Sequence, residues 1–207
     1  MKVFKNGIIT GLIIQFATGP VFFFIVNLSL QKTIYDGFAG VIAVTLVDYL
    51  YIALAIFGLN KLLEKKKIKK IFGILSSAIL IIFGAIIIKN ITDVSISTPL
   101  NTGSTDILSS FISVFFLTIF SPMTIVFWTG LFAAKAVEYN YSKRELLIFG
   151  LAVGLATPIF MGTSVVLFSL LKEAVPIILI QILNLMVGCL LILYGGIRIT
   201  TVLKNRA

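Results

Sequence analysis

Long hydrophobic runs alternate with short polar segments along the whole chain. There are six such runs, at about residues 7–30, 37–60, 71–89, 107–134, 145–171 and 175–198. A helix that crosses the hydrocarbon core of a bilayer needs about 20 apolar residues. Each run therefore predicts one transmembrane helix. The first, fourth and fifth runs also contain a proline near their centres, where a continuous helix would lose a backbone hydrogen-bond donor.

The composition also indicates that the protein lies in a lipid bilayer. The chain has 207 residues, of which 59% are hydrophobic and 12% charged, and its mean hydropathy is +1.13. A soluble domain of this length could not bury so much apolar surface, so the predicted fold class is an all-α integral membrane protein. With one cysteine and no histidine, we expect no disulfide within the chain, no metal site and no cofactor.

The net charge of +9 predicts an orientation in the membrane. The basic residues form short clusters between the apolar runs, which argues against a nucleic-acid partner and favours the positive-inside rule. A cytoplasmic N-terminus leaves only Lys32, Lys89 and Lys172 on the outer side and puts the other basic residues inside. The sequence therefore predicts six spans with both termini in the cytoplasm and a multi-pass location in the plasma membrane.

Weak internal similarity divides the chain into two halves. We expect a first three-helix repeat at 1–89, an extracytoplasmic polar loop at 90–106 ("NITDVSISTPLNTGSTD") and a second three-helix repeat at 107–207. Because each half has an odd number of spans, the second copy must enter the membrane from the opposite side. This inverted repeat is a common plan of secondary transporters. The matched pairs are Pro20 with Pro122, Gly40 with Gly150, and Gly84 with Gly195.

The first interruption of an apolar run is Thr18-Gly19-Pro20. Pro20 cannot donate to the carbonyl of Phe16, so we expect that carbonyl to be free and a half-helix to begin at mid-depth. Amides at a helix start attract carboxylates, whereas free carbonyls attract an ammonium group. This places Phe16, Thr18, Gly19 and Pro20 in a predicted solute site, together with Gln15, which flanks the break.

The second interruption, Ser121-Pro122, occupies the matching position in the other half. Serine favours the N-cap of a helix and proline its first position. The pattern predicts a second half-helix and a free carbonyl at Thr118. Asn184, a polar residue inside the sixth run, is added to the predicted solute-binding set. Plain kinks at both prolines remain the alternative, since many membrane helices contain proline.

Asp48 lies at the centre of the second apolar run. An ionised carboxylate in the middle of a bilayer costs several kcal/mol, so such a residue faces the protein interior and has a partner or a proton. We therefore predict that Asp48 couples transport to protons. The alternative is a structural hydrogen bond to Thr45 or to a polar group on a neighbouring helix.

Two other features have simpler interpretations. Trp128 is expected in the aromatic belt at the membrane interface. The motifs Gly7-x-x-x-Gly11 and Gly150-x-x-x-Gly154 predict close helix packing, within or between subunits.

Several motifs together resemble the LysE/RhtB-type amino-acid exporter family. They are Gly19-Pro20, "GFAGVIAVTLVDYLYIALAIFGL" at 37–59, Ser121-Pro122 and "VGCLLILYGGIRI" at 187–199. The first break in that family is usually Pro-Gly-Pro and the second Asn-Pro, so Thr18 and Ser121 depart from the pattern, whereas Asp48 matches the family's carboxylate in the second span. The resemblance implies export of an amino acid or derivative, driven by proton exchange.

The predicted function is thus a secondary active transporter that works by alternating access in a lipid bilayer. A small-molecule solute is the expected partner, and a homo-oligomer remains open. An enzyme is not expected, because the apolar runs carry no histidine and a single central carboxylate. The alternatives are a metal-cation exporter of the same superfamily and a non-transporting membrane assembly protein.

Overall fold

The computed structural model describes residues 2–15, 20–57, 66–89, 107–139 and 141–204, and every regular element in these ranges is helical. A single turn of 3-10 helix, Lys172–Ala174, follows the seventh α-helix. The α-helices are α1 (Lys2–Gln15), α2 (Pro20–Gln31), α3 (Ile34–Ile56), α4 (Lys66–Lys89), α5 (Ile107–Ile119), α6 (Pro122–Glu138), α7 (Lys143–Leu171) and α8 (Ile177–Lys204).

Among the described residues, three helices are long and apolar enough to cross a membrane alone. They are Ile34–Ile56, Lys143–Leu171 and the segment Ile178–Thr201 of α8. Shorter apolar helices occupy Val21–Gln31, Ser77–Lys89 and Ile107–Ile119. The described residues therefore form an all-helical fold with helices of membrane-spanning length, as predicted, while the count of six spans, the inverted repeat and the orientation stay predictions.

The apolar runs that contain proline behave in two ways. The fourth run is divided, because α5 ends at Ile119 and α6 begins at Pro122, with Ser121 as its N-cap. The first run contributes α1 and α2, on either side of residues 16–19, which lie outside the described ranges. In the fifth run, Pro158 lies inside α7, which continues to Leu171.

Helix α3 lies at the centre of the packing. It contacts α2, α5, α6 and α7, while α1 packs along α7 and α4 packs along α8. Many large apolar side chains point outward, such as Ile42, Leu46, Leu151 and Leu155. So much exposed apolar surface is unusual in a water-soluble monomer and is expected for helices that face lipid.

Glycines set the distances between the central helices. A Cβ atom on Gly7 would lie 2.6 Å from the Cβ of Ala152, and one on Gly11 would lie 2.5 Å from the Cβ of Ala156, both in α7. On another face of α7, a Cβ on Gly154 would lie 2.4 Å from the ring of Tyr49 in α3. The glycine motifs thus bring α1, α7 and α3 together within one chain, which confirms the packing prediction.

Candidate functional site

The carboxylate of Asp48 is buried in the centre of the helix bundle, with 6% of the residue exposed. The indole Nε1–H of Trp128 in α6 donates to its Oδ1 at 2.9 Å, and the hydroxyl of Thr157 in α7 donates to its Oδ2 at 2.8 Å. Thr45 instead donates its hydroxyl to the carbonyl of Val41 in its own helix. Asp48 therefore joins three helices, and both donors are neutral groups that leave the charge of an ionised carboxylate unneutralised.

Thr157 extends this hydrogen-bonded group to the first interruption. Its hydroxyl accepts a hydrogen bond from Nε2 of Gln15 at 2.8 Å while it donates to Asp48. Gln15 is the last residue of α1, directly before residues 16–19. The predicted site residue Gln15 is thus connected to Asp48 through one hydroxyl, and Thr157 is fully buried between them.

Tyr51 makes the corresponding connection to the second interruption. It lies one turn after Asp48 in α3, and its hydroxyl donates to the backbone carbonyl of Ile119, the last residue of α5. Carbonyls at the end of a helix lack intrahelical partners, so a side chain from α3 supplies one here. A single turn of α3 therefore reaches the edges of both breaks, through Asp48 toward Gln15 and through Tyr51 to Ile119.

The predicted free carbonyl at Thr118 is wrong. That carbonyl accepts the backbone N–H of Ser121 at 3.0 Å, and the Thr118 hydroxyl donates to the carbonyl of Val114 at 2.8 Å. Pro122 has no backbone N–H to donate to this carbonyl as a continuous α-helix would require. The N–H of Ser121 takes its place through a tighter i to i+3 hydrogen bond. Ser121 and Pro122 occupy the predicted N-cap and first helical positions, although the Ser121 hydroxyl makes no capping bond to the described backbone.

The prediction for Trp128 is also wrong. Trp128 is 3% exposed and packs against Phe132 with ring centroids 6.4 Å apart, so it lies in the core and not in an interfacial belt. Its indole N–H needs a partner when buried, and Asp48 is that partner. The sequence shows Asp48 inside an apolar run and a single tryptophan. No sequence pattern indicates that their side chains are hydrogen-bonded to each other.

Asn184 belongs to a different polar group. Gln31 donates through Nε2 to Oδ1 of Asn184 at 2.8 Å and also to Oδ1 of Asn27. These three amides link α2 to α8, and within the described residues no hydrogen bond joins them to Asp48. The structure therefore does not bring Asn184 together with Gln15 as the sequence suggested.

The other predicted solute contacts are at the first break. Phe16, Thr18 and Gly19 lie outside the described residues, and Pro20 is the first residue of α2. Their part in a solute site stays a prediction.

A family model described as the LysE type translocator matches residues 12–200, nearly the full length of the chain. The chain belongs to the LysE family. Members of this family are transporters, so the LysE assignment confirms the resemblance seen in the motifs and the multi-pass membrane character of the protein. The matched range of this LysE chain contains Gln15, Asp48, Trp128 and Thr157.

One curated relative is the "Putative amino acid efflux protein YcgF" of Bacillus subtilis (strain 168). It is 24% identical to this LysE-family chain over 160 residues, which cover 75% of this chain and 76% of the relative. No solved structure matches the chain.

Proposed function

We propose that this LysE-family protein exports an amino acid or a derivative across the plasma membrane, by alternating access and in exchange for protons. The observation that carries the proposal is the position of Asp48, a buried carboxylate that is linked to Gln15 at the first interruption through the Thr157 hydroxyl and lies one turn from Tyr51, which bonds to Ile119 at the second. The printed name of the Bacillus subtilis relative, which refers to amino acid efflux, supports the choice of solute.

The chemistry of Asp48 suits an exchange of proton for solute. A carboxylate taken out of water and held by two neutral donors is costly while it stays ionised. A proton or the ammonium group of an amino acid would each neutralise it, and the two would compete for the same oxygens. Binding of one would release the other, which is the requirement for antiport.

The other end of an amino acid needs a different partner. Its carboxylate would bind at the half-helix starts after Gly19 and Ser121, where backbone amides carry partial positive charge. Gln15 and Thr157 form a hydrogen-bonded chain that runs from the end of α1, next to the first interruption, to Asp48, so their polar atoms would orient the solute between its two charged ends.

The helix contacts support the proposed inverted repeat, with 1–89 and 107–207 as the halves and 90–106 as the loop between them. If α1 to α4 correspond to α5 to α8, the packing of α1 on α7 has its counterpart in the packing of α5 on α3. Under this correspondence the contact between α3 and α7 is its own counterpart, and the same holds for the contact between α4 and α8. Rocking of one half against the other, with both termini cytoplasmic, would expose Asp48 to each side in turn.

Local capping supports the same correspondence. Helix α3 begins with a capping box made by Thr33 and Asp36, and α7 begins with one made by Ser142 and Glu145. These are equivalent helices in the proposed repeat.

The test is efflux of labelled amino acids from proteoliposomes with an inwardly directed proton gradient. We expect Asp48→Asn, which keeps the shape of the side chain but cannot ionise, to lose the stimulation by the gradient. Glu145→Gln is the matched control, because Glu145 is only partly buried and its carboxylate accepts bonds from Ser142 at the start of α7. Gradient-driven efflux that survives in Asp48→Asn would remove Asp48 from the coupling role.

A second measurement identifies the solute class. The detergent-purified protein is heated with a panel of amino acids and, separately, with divalent cations. A ligand present at about 100 times its Kd stabilises the folded state by about 2.7 kcal/mol. We expect stabilisation by amino acids; stabilisation by divalent cations alone would favour a metal-cation exporter.

A further inference from the structure

A second buried carboxylate, Asp36, lies at the start of α3, about three turns from Asp48 along the same helix. Only 1% of the residue is exposed. Its Oδ2 accepts bonds from the backbone and the hydroxyl of Thr33, which completes the capping box. Its Oδ1 accepts the hydroxyl of Ser110 in α5 at 2.7 Å. One carboxylate therefore caps its own helix and also binds a helix of the other half of the chain.

Two lysines complete this corner of the molecule. Lys32 donates through Nζ to the same Ser110 hydroxyl at 3.1 Å. Lys172, in the 3-10 turn after α7, donates through Nζ to the backbone carbonyl of Lys32 at 2.6 Å. The turn between α2 and α3 is thus held by α5 and by the 3-10 turn, both of which belong to the second half.

At the equivalent corner, where α7 begins, the described residues make a different kind of contact. There the start of α7 has its capping box, but the Glu145 carboxylate is bonded to Ser142 in its own turn. Among the described residues, a neutral hydrogen bond from Nδ2 of Asn6 in α1 to the hydroxyl of Tyr141 joins this corner to α1, at 3.1 Å. Hydrogen bonds to an ionised group are about twice as strong as neutral ones. Of these two corresponding contacts between described residues, the one at the start of α3 is therefore the stronger.

We propose that Asp36, Ser110 and Lys32 form a latch that holds the transport pathway closed at the end opposite the N-terminus. The inference rests on the proposed alternating access, in which the two halves move relative to each other. Movement of α3 away from α5 breaks the bond from Ser110 to Asp36 and leaves a buried carboxylate oxygen without its partner, which is costly. The latch thus biases the transporter toward the state that is closed at this end.

The test measures access to the site and not transport. Cys189, the single cysteine, is replaced by alanine, and Ser121→Cys at the second interruption supplies a reporter thiol. A membrane-impermeant maleimide is applied from either side of oriented vesicles. We expect Ser110→Ala to raise the labelling rate about tenfold from the latch side, the effect of losing one bond to a charged group, and to lower it from the opposite side.

Ser29→Ala is the matched control. Ser29 is as buried as Ser110, but its hydroxyl donates to the carbonyl of Val26 in its own helix at 2.7 Å. It should leave both labelling rates at the parent values. Equal rates from the latch side in Ser110→Ala and Ser29→Ala would overturn the proposal.

A second pair of variants tests the latch at exposed positions, where a substitution does not disturb the buried packing around Ser110. Lys32 and Lys89 are both exposed, so Lys32→Met and Lys89→Met are expected to fold, and only Lys32→Met should increase labelling from the latch side. No increase in Lys32→Met relative to Lys89→Met would count against the latch. These labelling rates need no solute, so gradient-driven efflux that survives in Asp48→Asn would contradict the proposed coupling role of Asp48 without deciding the latch.

Discussion

The indole N–H of Trp128 donates to the carboxylate of Asp48 at 2.9 Å across the contact between α6 and α3. Trp128 is the only tryptophan in the chain. Any change of charge at Asp48 therefore acts directly on the one indole of the protein. The structure supplies an optical reporter at the centre of the candidate site without a label.

Trp128 fluorescence should follow the protonation of Asp48. A negative charge at the indole N–H alters the energy of the excited state, so the emission of the purified protein should change when pH is varied. We expect this change to be lost in Asp48→Asn and retained in Glu145→Gln, because Glu145 lies in the first turn of α7, well before Thr157 in that helix. An identical pH response in the parent and in Asp48→Asn would show that another group is responsible.

Thr157→Val should disconnect Gln15 from Asp48. Valine keeps the volume but lacks the hydroxyl, so Oδ2 of Asp48 and Nε2 of Gln15 both lose a partner. We expect a loss of stability of about 1–2 kcal/mol, seen as a lower melting temperature in detergent, and reduced efflux. Thr157→Ser should restore both.

Thr163→Val is the matched control for this substitution. Thr163 is in the same helix, and its hydroxyl donates to the carbonyl of Ile159 within that helix. If Thr163→Val lowered stability and efflux as much as Thr157→Val, the effect would be a general one of valine in α7.

The helical membrane character and the burial of Asp48 in the interior could be predicted from the sequence. The length of the apolar runs indicates membrane helices, because the bilayer fixes how many residues a span needs. Ser121-Pro122 marks a helix start by local rules alone. The cost of a carboxylate in lipid singles out Asp48, whatever surrounds it.

The partners of Asp48 could not be predicted, because they depend on how each helix is rotated about its axis. Trp128 and Thr157 are 80 and 109 residues away along the chain. An apolar helix with weak amphipathic character does not indicate which face is inside. The partner of the Thr118 carbonyl could not be predicted for a related reason, since the chain can tighten locally and the N–H of Ser121 replaces the lost donor.

Tyr51→Phe should destabilise the second interruption. The substitution removes the hydroxyl that donates to the carbonyl of Ile119, where α5 ends and no helical amide follows in register. We expect a larger fall in melting temperature than for Tyr49→Phe. Tyr49 donates to the carbonyl of Leu151 at 3.1 Å, a residue inside the continuous helix α7. Equal effects of the two substitutions would indicate that the Ile119 carbonyl has another partner.

Gly11→Ala should separate α1 from α7 and weaken the connection of Gln15 to the site. Its new Cβ would lie 2.5 Å from the Cβ of Ala156 and 2.8 Å from the backbone oxygen of Val153, and backbone atoms cannot move aside as a flexible side chain can. Overpacking of this kind costs about 1–3 kcal/mol, which a thermal melt would detect. Gly130→Ala is the control, because a Cβ there would have no described atom within 4 Å and alanine is the better helix former. Gln15 ends α1 one turn after Gly11, so efflux should fall in Gly11→Ala and stay at the parent level in Gly130→Ala. Unaltered efflux and stability in Gly11→Ala would mean that α1 does not need this close contact to place Gln15 beside Thr157.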